Sequence, residues 1–287
     1  MKTLADWPAA ARRGLVGVFT DIDDTLTTEG AITPEALQAL HDLRDAGLVV
    51  IPITGRPIGW CTPFMDGGTA LAWPVQAMVA ENGGVAYVRA PSPGICSEKA
   101  LQPAQEMRGP LSKIYQLGAE QRASNTAAMQ AVAQRVLHEV PGVGQSRDSA
   151  GRETDLAFDY AEHARLSPET VQHVLQVLQD SGMQTTVSSI HIHGCFGHFD
   201  KWLGAQWIVR TLWGRELAAE IDRWAFVGDS GNDQVMFEHF PHSVGVANIR
   251  RFAAQLQHLP TYITPGERGQ GFAEVAQAII DARPPAP

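Results

Sequence analysis

Three carboxylates crowd into four positions of the segment Val18-Phe19-Thr20-Asp21-Ile22-Asp23-Asp24-Thr25-Leu26. Carboxylates this close raise one another's pKa unless a cation neutralises them. A hard divalent ion with oxygen ligands does so most simply, and Mg2+ is the expected one. A solvated acidic turn is the plain alternative. The apolar run Leu15 to Phe19 favours the ion, because it reads as a buried strand delivering Asp21, Asp23 and Asp24 to its C-terminal end. In open α/β sheets that end is where ligands bind.

The elements that must position these acids follow in order. Thr33-Pro34-Glu35 starts a helix with an N-cap, a proline at the first position and an acid in the first turn; Leu37, Leu40 and Leu43 form its stripe and Gly47 ends it. The continuous apolar run Leu48 to Ile53 fits a strand buried on both faces and ends in Thr54-Gly55-Arg56-Pro57. Strand, helix, strand with polar strand ends is the βαβ unit of a doubly wound, mostly parallel α/β sheet. A third apolar run, Val75 to Ala80, enters the turn Glu81-Asn82-Gly83-Gly84.

From Pro91 the pattern weakens into a proline-punctuated linker, and an inserted α+β unit is expected over residues 91–193. One helix carries Met129, Val132, Val136, Leu137 and Val140; another, capped by Ser167-Pro168-Glu169, carries Val171, Val174, Leu175 and Leu178. Strands are expected at Thr154 to Tyr160, Gln184 to Val187 and Ile190 to His193. After Gly194 the α/β rhythm returns: a helix at Trp202 to Leu212, a strand at Trp224 to Val227, short strands at Val244 to Ala247 and Tyr262 to Thr264, and a closing helix at Phe272 to Ile280. Residues 1–90 and 194–287 thus form two parts of one core, and the Pro-rich tail from Arg283 is expected to be mobile.

The strand at Trp224 delivers a further polar end, Gly228-Asp229-Ser230-Gly231-Asn232-Asp233. Lys201, in His198-Phe199-Asp200-Lys201-Trp202-Leu203, is the sole lysine after Lys113. Taken in order, Asp21 with Asp23, Thr54, Lys201 and the Asp229 segment resemble the four motifs of the haloacid dehalogenase superfamily of phosphohydrolases. The resemblance implies that Asp21 is the nucleophile taking the phosphoryl group and Asp23 the general acid and base. Chemistry agrees: one ionised carboxylate can attack phosphorus, and a second can protonate the leaving alkoxide and then deprotonate water. Thr54, with Gly55 and Arg56, would bind phosphoryl oxygens; Lys201 would neutralise the phosphoryl group and Asp21 together.

By the same resemblance Asp229 would ligate Mg2+ with Asp21 and the backbone carbonyl of Asp23. Asp233 would hold a metal-bound water or orient Lys201, and Asn232 would touch phosphate. The Lys201 segment departs from the glycine-lysine-glycine form common in relatives, since Asp200 precedes Lys201 and Trp202 follows it. An insertion between the second and third motifs resembles the C2-capped branch, type IIB, whose members include trehalose-, sucrose- and mannosylglycerate-phosphate phosphatases. That implies a phosphatase of small phosphorylated sugars or related metabolites. A phosphomannomutase-like phosphotransferase shares these motifs, and a phospho-ligand-binding regulator is a further alternative.

The remaining features narrow the field. The net charge of -9, with no basic run, argues against nucleic acid and anionic membranes. Without an apolar run of membrane-spanning length or a signal-like start, a cytoplasmic protein is expected. Cys61, Cys96 and Cys195 are odd in number and widely spaced, and are expected to be reduced thiols. His191, His193 and His198 lack a fourth zinc ligand, so a structural or substrate-facing role is expected. Arg147, Arg152 and Arg165 allow binding of a sugar hydroxyl or second anion, but a surface position is the expectation; the seven tryptophans allow sugar stacking, but most are expected in the core.

Overall fold

The computed structural model describes residues 1–68, 71–89 and 110–283. Its central sheet has six strands in the order Lys2–Thr3, Tyr262–Ile263, His242–Gly245, Trp224–Gly228, Gly17–Thr20, Val49–Pro52, every neighbouring pair parallel. Alternation along each strand divides the core in two. Val18, Val50 and Val227 pack on one face with the helices Pro34–Asp45 and Arg268–Asp281. Phe19, Ile51 and Phe226 pack on the other with the helix Lys201–Trp213. A sheet buried on both faces requires such continuous apolar strands.

Residues next to the ends explain why the elements stop where they do. Thr33 Oγ1 accepts from Ala36 N–H at 3.3 Å and Pro34 opens the helix behind it, while Gly47 leaves it at φ 79°. Asp200 caps the helix Lys201–Trp213 by accepting from Leu203 N–H at 2.7 Å. That cap fixes Lys201 at the helix's first position.

Ile53 bridges Val79 in parallel and so joins the central sheet to a three-stranded antiparallel one, Ala77–Ala80, Val85–Arg89 and Leu111–Tyr115. The last strand follows the stretch expected to be linker; Leu111-Ser112-Lys113-Ile114-Tyr115 does not alternate apolar and polar, so it gives little period-two signal, and pairing with Val85–Arg89 makes it a strand. Beyond it stands a separate layer. The helices Ala119–Glu139 and Pro168–Asp180 cover an antiparallel sheet ordered Gln184–Val187, His191–Cys195, Leu156–Asp159, Gly144–Gln145, around a core centred on Phe158. Its first helix begins ten residues before the expected stripe, and Leu137, expected on the apolar face, is exposed.

All seven tryptophans are in or against the two central cores. Cys61 and Cys195 are free and buried, whereas Cys96, the linker expectation at 91–109 and the tail beyond Arg283 lie outside the described residues. Among the described residues no helix is long and apolar enough to cross a membrane.

Glu81 fastens the two layers. Its buried carboxylate accepts from Ile58 N–H on one side and from Glu153 N–H, Thr154 N–H and Thr154 Oγ1 on the other. Burial, with Asp155 nearby, pushes its pKa from 4.5 up to about 7, outweighing the Thr154 donors and Arg152. A carboxyl that binds its proton more tightly folded than unfolded stabilises the fold below the unfolded pKa, and this contribution is lost as pH rises through the folded one. Relative to Glu81→Gln, the wild type is therefore expected to lose on the order of 3 kcal/mol between pH 4 and pH 8. Urea denaturation of both proteins across that range checks this; a pH-independent difference would contradict it.

Candidate active site

The strands Gly17–Thr20 and Trp224–Gly228 are neighbours in register, so Asp21 and Asp229 leave the sheet side by side. Asp21 N–H donates to Val227 O at 2.8 Å, which locks the two ends together. Lys201, from the helix on the Phe19 face, reaches the same point. Its Nζ donates to Asp21 Oδ1 at 2.5 Å and to Asp233 Oδ1 at 2.6 Å, and its side chain is wholly buried.

Asp233 uses its other oxygen to accept from Asp229 N–H at 2.8 Å and Ser230 N–H at 3.0 Å. It can approach because residue 228 is glycine: a Cβ there would lie 2.6 Å from the Asp233 carboxyl. Both Asp233 oxygens are thus committed, one to Lys201 and one to its own turn. Asp21 keeps Oδ2 outside the Lys201 bond. Asp229 accepts from Asn248 Nδ2 at 3.0 Å and, more loosely, from Thr25 Oγ1 at 3.4 Å.

Ligand atoms of Asp21, Asp229 and Asp233 all lie within 4.8 Å of one another. Burial raises the Asp21 pKa to about 8, against the pull of Lys201 and with help from Asp233 and Asp23; burial also raises Asp229 well above the usual carboxylate range, Asp21 and Asp233 adding to it. Three buried acids facing one ammonium form a donor set short of positive charge, and it suits a hard divalent cation with oxygen ligands.

Asp23 is placed differently. Its carboxylate receives both Nε and Nη2 of Arg56, at 2.9 and 2.8 Å, and stands outside the three-acid cluster. Arg56 also donates to Glu162 Oε1 at 2.8 Å and Asp148 Oδ2 at 3.3 Å, so its guanidinium is held by acids from both layers. Thr54 Oγ1 accepts from Arg56 N–H at 3.0 Å, tightening the turn after the strand Val49–Pro52. Gly55 lies against the His193 ring, and a Cβ there would come within 2.9 Å of it. Asn232 Nδ2 donates to Asn82 Oδ1 at 3.0 Å.

Several site residues were not singled out from sequence. Asn82 and Glu81 sit in the turn Glu81-Asn82-Gly83-Gly84, which contributes to the resemblance to type IIB but whose residues individually carry no expected role; both have positive φ, 51° and 50°. Asn248, which also donates to Asp24 O and accepts from Arg268 N–H, follows a strand that ends at Gly245 rather than Ala247. The strand-end rule that located Asp21 and Asp229 points to it too. Arg152 is corrected from surface to interior: its side chain is 3% exposed and donates to Asp155, Asp148 and Gly55 O. Arg147 and Arg165 are exposed as expected. His191 Nε2 pairs with Glu162 at 2.9 Å and His193 Nδ1 with Asp155 at 3.0 Å, so neither joins a metal cluster among the described residues.

Two cavities flank this constellation. One of about 430 Å³ is lined by Lys201, Asn232, Asn82, His193, Gln184 and Thr186. The other, about 530 Å³, is lined by Asp23, Asp229, Arg56, Glu162, Asn248 and Arg268.

Removing the buried ammonium tests the balance. Lys201→Met is expected to lower stability by about 3–5 kcal/mol in EDTA, because the carboxylates are left uncompensated, with part of the loss recovered in millimolar Mg2+ as the ion replaces the ammonium's charge. Urea titrations with and without Mg2+ measure this. A variant as stable as wild type in EDTA would show that the acids do not depend on Lys201.

Comparison with known proteins places this geometry. The model of the family described as haloacid dehalogenase-like hydrolase matches residues 18–129. None of the curated proteins compared is similar enough in sequence to count as a relative. Among solved structures, the sucrose-phosphatase of Synechocystis sp. PCC6803 in complex with sucrose and phosphate is similar at TM-score 0.62 and 15% identity, over 93% of this chain and 98% of that one. The C. albicans trehalose-6-phosphate phosphatase C-terminal domain is similar at 0.61 and 12%, over 95% of each chain. The HAD subclass IIB sugar phosphatase BT4131 is similar at 0.56 and 16%, over 91% of this chain and 97% of that one. Residues 18–129 thus match the model of the haloacid dehalogenase-like hydrolases, and the chain shares the fold of these structures over nine-tenths of its length.

Proposed function

We propose that the chain is a Mg2+-dependent phosphatase that hydrolyses a small phosphorylated sugar or related metabolite through an aspartyl-phosphate at Asp21. The observation that carries this reading is the Lys201 ammonium between Asp21 and Asp233, with Asp229 beside them at one strand end. It is supported by the sucrose and trehalose-6-phosphate phosphatases among the similar folds.

In this reading Asp21 attacks phosphorus, and the bond to the leaving alkoxide breaks as Asp23 gives it a proton. Water then attacks the acyl-phosphate with Asp23 taking the proton, which releases inorganic phosphate and restores Asp21. Lys201 and the N–H groups around Thr54 and Gly55 balance charge on the phosphoryl oxygens. Asp21 and Asp229, with the backbone carbonyl of Asp23, would hold Mg2+, which when bound supplies further neutralisation at the phosphoryl group. Asp233 orients Lys201, and Asn232, through Asn82, borders the phosphoryl position.

The inserted unit expected at 91–193, whose layer runs from the helix Ala119–Glu139 to the strand His191–Cys195 and so two residues past that bound, would act as the cap, excluding water while Arg56 and Glu81 hold it to the core. The cytoplasm is its expected location.

Phosphate release from sugar phosphates, with Mg2+ and with EDTA, tests the proposal on wild type and Asp21→Asn together. Release is expected only with metal, and the variant should be slower by at least about a thousandfold, since removal of a covalent nucleophile removes the whole pathway. An Asp21→Asn protein of wild-type rate would end the nucleophile assignment. Turnover that requires added sugar bisphosphate would instead favour a mutase.

A further inference from the structure

His193 stands on the strand His191–Cys195 of the outer layer, yet it lines the cavity that contains Lys201 and Asn232. Its ring is held on one side only. Nδ1 lies 3.0 Å from Asp155 Oδ2, and Asp155 Oδ1 accepts from Arg152 Nη1 at 2.8 Å, all three side chains being buried. The Asp155 carboxylate, paired with Arg152, accepts from the ring, so the imidazole's proton is on Nδ1 and Nε2 presents a lone pair. Burial, with Arg152 and His191 close by, drives the His193 pKa well down, which keeps the ring neutral.

Nε2 is buried and, among the described residues, has no hydrogen-bond partner. It is also beside the backbone of Gly55, next to Thr54, where the phosphoryl oxygens would sit. A buried acceptor without a donor is destabilising on its own, and a ligand hydroxyl would satisfy it. Farther along the same cavity come Gln179, Gln184, Thr185 and Thr186, polar and uncharged, suited to more hydroxyls.

We propose that His193, oriented by Asp155 and Arg152, is a specificity residue whose Nε2 accepts a hydrogen bond from a hydroxyl of the leaving group, close to the phosphoester. The inference rests on the phosphatase reading above. It places a hydroxyl of the leaving group, not the ester oxygen that Asp23 protonates, in the cavity beside Lys201, and it selects hydroxylated alcohols over those lacking a hydroxyl there.

The test compares kcat/KM for the fastest of a set of hexose and disaccharide phosphates with that for p-nitrophenyl phosphate, whose leaving group has no such hydroxyl. His193→Ala is expected to lower this ratio at least about tenfold, the usual penalty for losing a hydrogen bond that reads a substrate hydroxyl. His193→Gln, whose amide end reaches the Nε2 position, should recover part of it, and His193→Asn, whose amide reaches only as far as Nδ1, should not. A merely structural role would depress both substrates and leave the ratio unchanged, which would overturn the inference. If His193→Ala does not fold, an equal ratio in the Gln and Asn variants would overturn it as well. Wild-type protein inactive on every compound would overturn the phosphatase reading and this inference with it; active wild type with an unchanged variant ratio overturns this one alone.

Discussion

The buried Lys201 ammonium is the interaction on which the site depends. Three carboxylates at adjoining strand ends repel one another, and they share one protein cation that is itself removed from water. Ion pairs of this kind give little net stability, since desolvation offsets attraction, but losing one partner is severe. The fold therefore supports Lys201 from several directions. Asp200 caps its helix, Asp233 fixes its other side, and Asp233 is in turn held by the N–H groups of Asp229 and Ser230.

A second set of buried charges joins the layers. Arg56 bonds one acid of the core and two of the outer layer, and Glu81 accepts from the segment Glu153 to Thr154. Charged contacts depend on direction and distance more sharply than apolar ones, so they fix how the outer layer lies on the strand ends. Backbone strain gathers in the same place: Asp24, Glu81, Asn82 and Arg268 all have positive φ without being glycine. Such conformations persist where surrounding bonds overdetermine them.

The core and its strand ends were legible because a parallel sheet demands long apolar runs, and the acids that break those runs stand out. Asp21, Thr54 and Asp229 stand at such strand ends, Lys201 stands out as the sole lysine after Lys113, and the two capped helices show by their Thr33-Pro34 and Ser167-Pro168 starts. What escaped was set by pairing rather than periodicity. Leu111–Tyr115 is a strand because Val85–Arg89 offers it an edge, and Arg152 is buried because Asp155 and Asp148 meet it. The side-chain placement of Asp23 was equally invisible: its neighbour in sequence is the acid cluster, but its partner is Arg56, thirty-three residues on. His193 showed only as one of three histidines. Its meaning comes from which nitrogen Asp155 occupies, a fact of three-dimensional register alone.

The contacts of Asn248 carry a temporal consequence. This side chain bonds Asp229 and the backbone of Asp24, and it is held by the N–H of Arg268 at the start of the closing helix. Asp24 is thus made 224 residues before the Asn248 that supports it. Contacts so distant in sequence form slowly, after much chain entropy has been lost. The site is therefore enclosed only once the helix Arg268–Asp281, whose first N–H holds Asn248, has been made and docks.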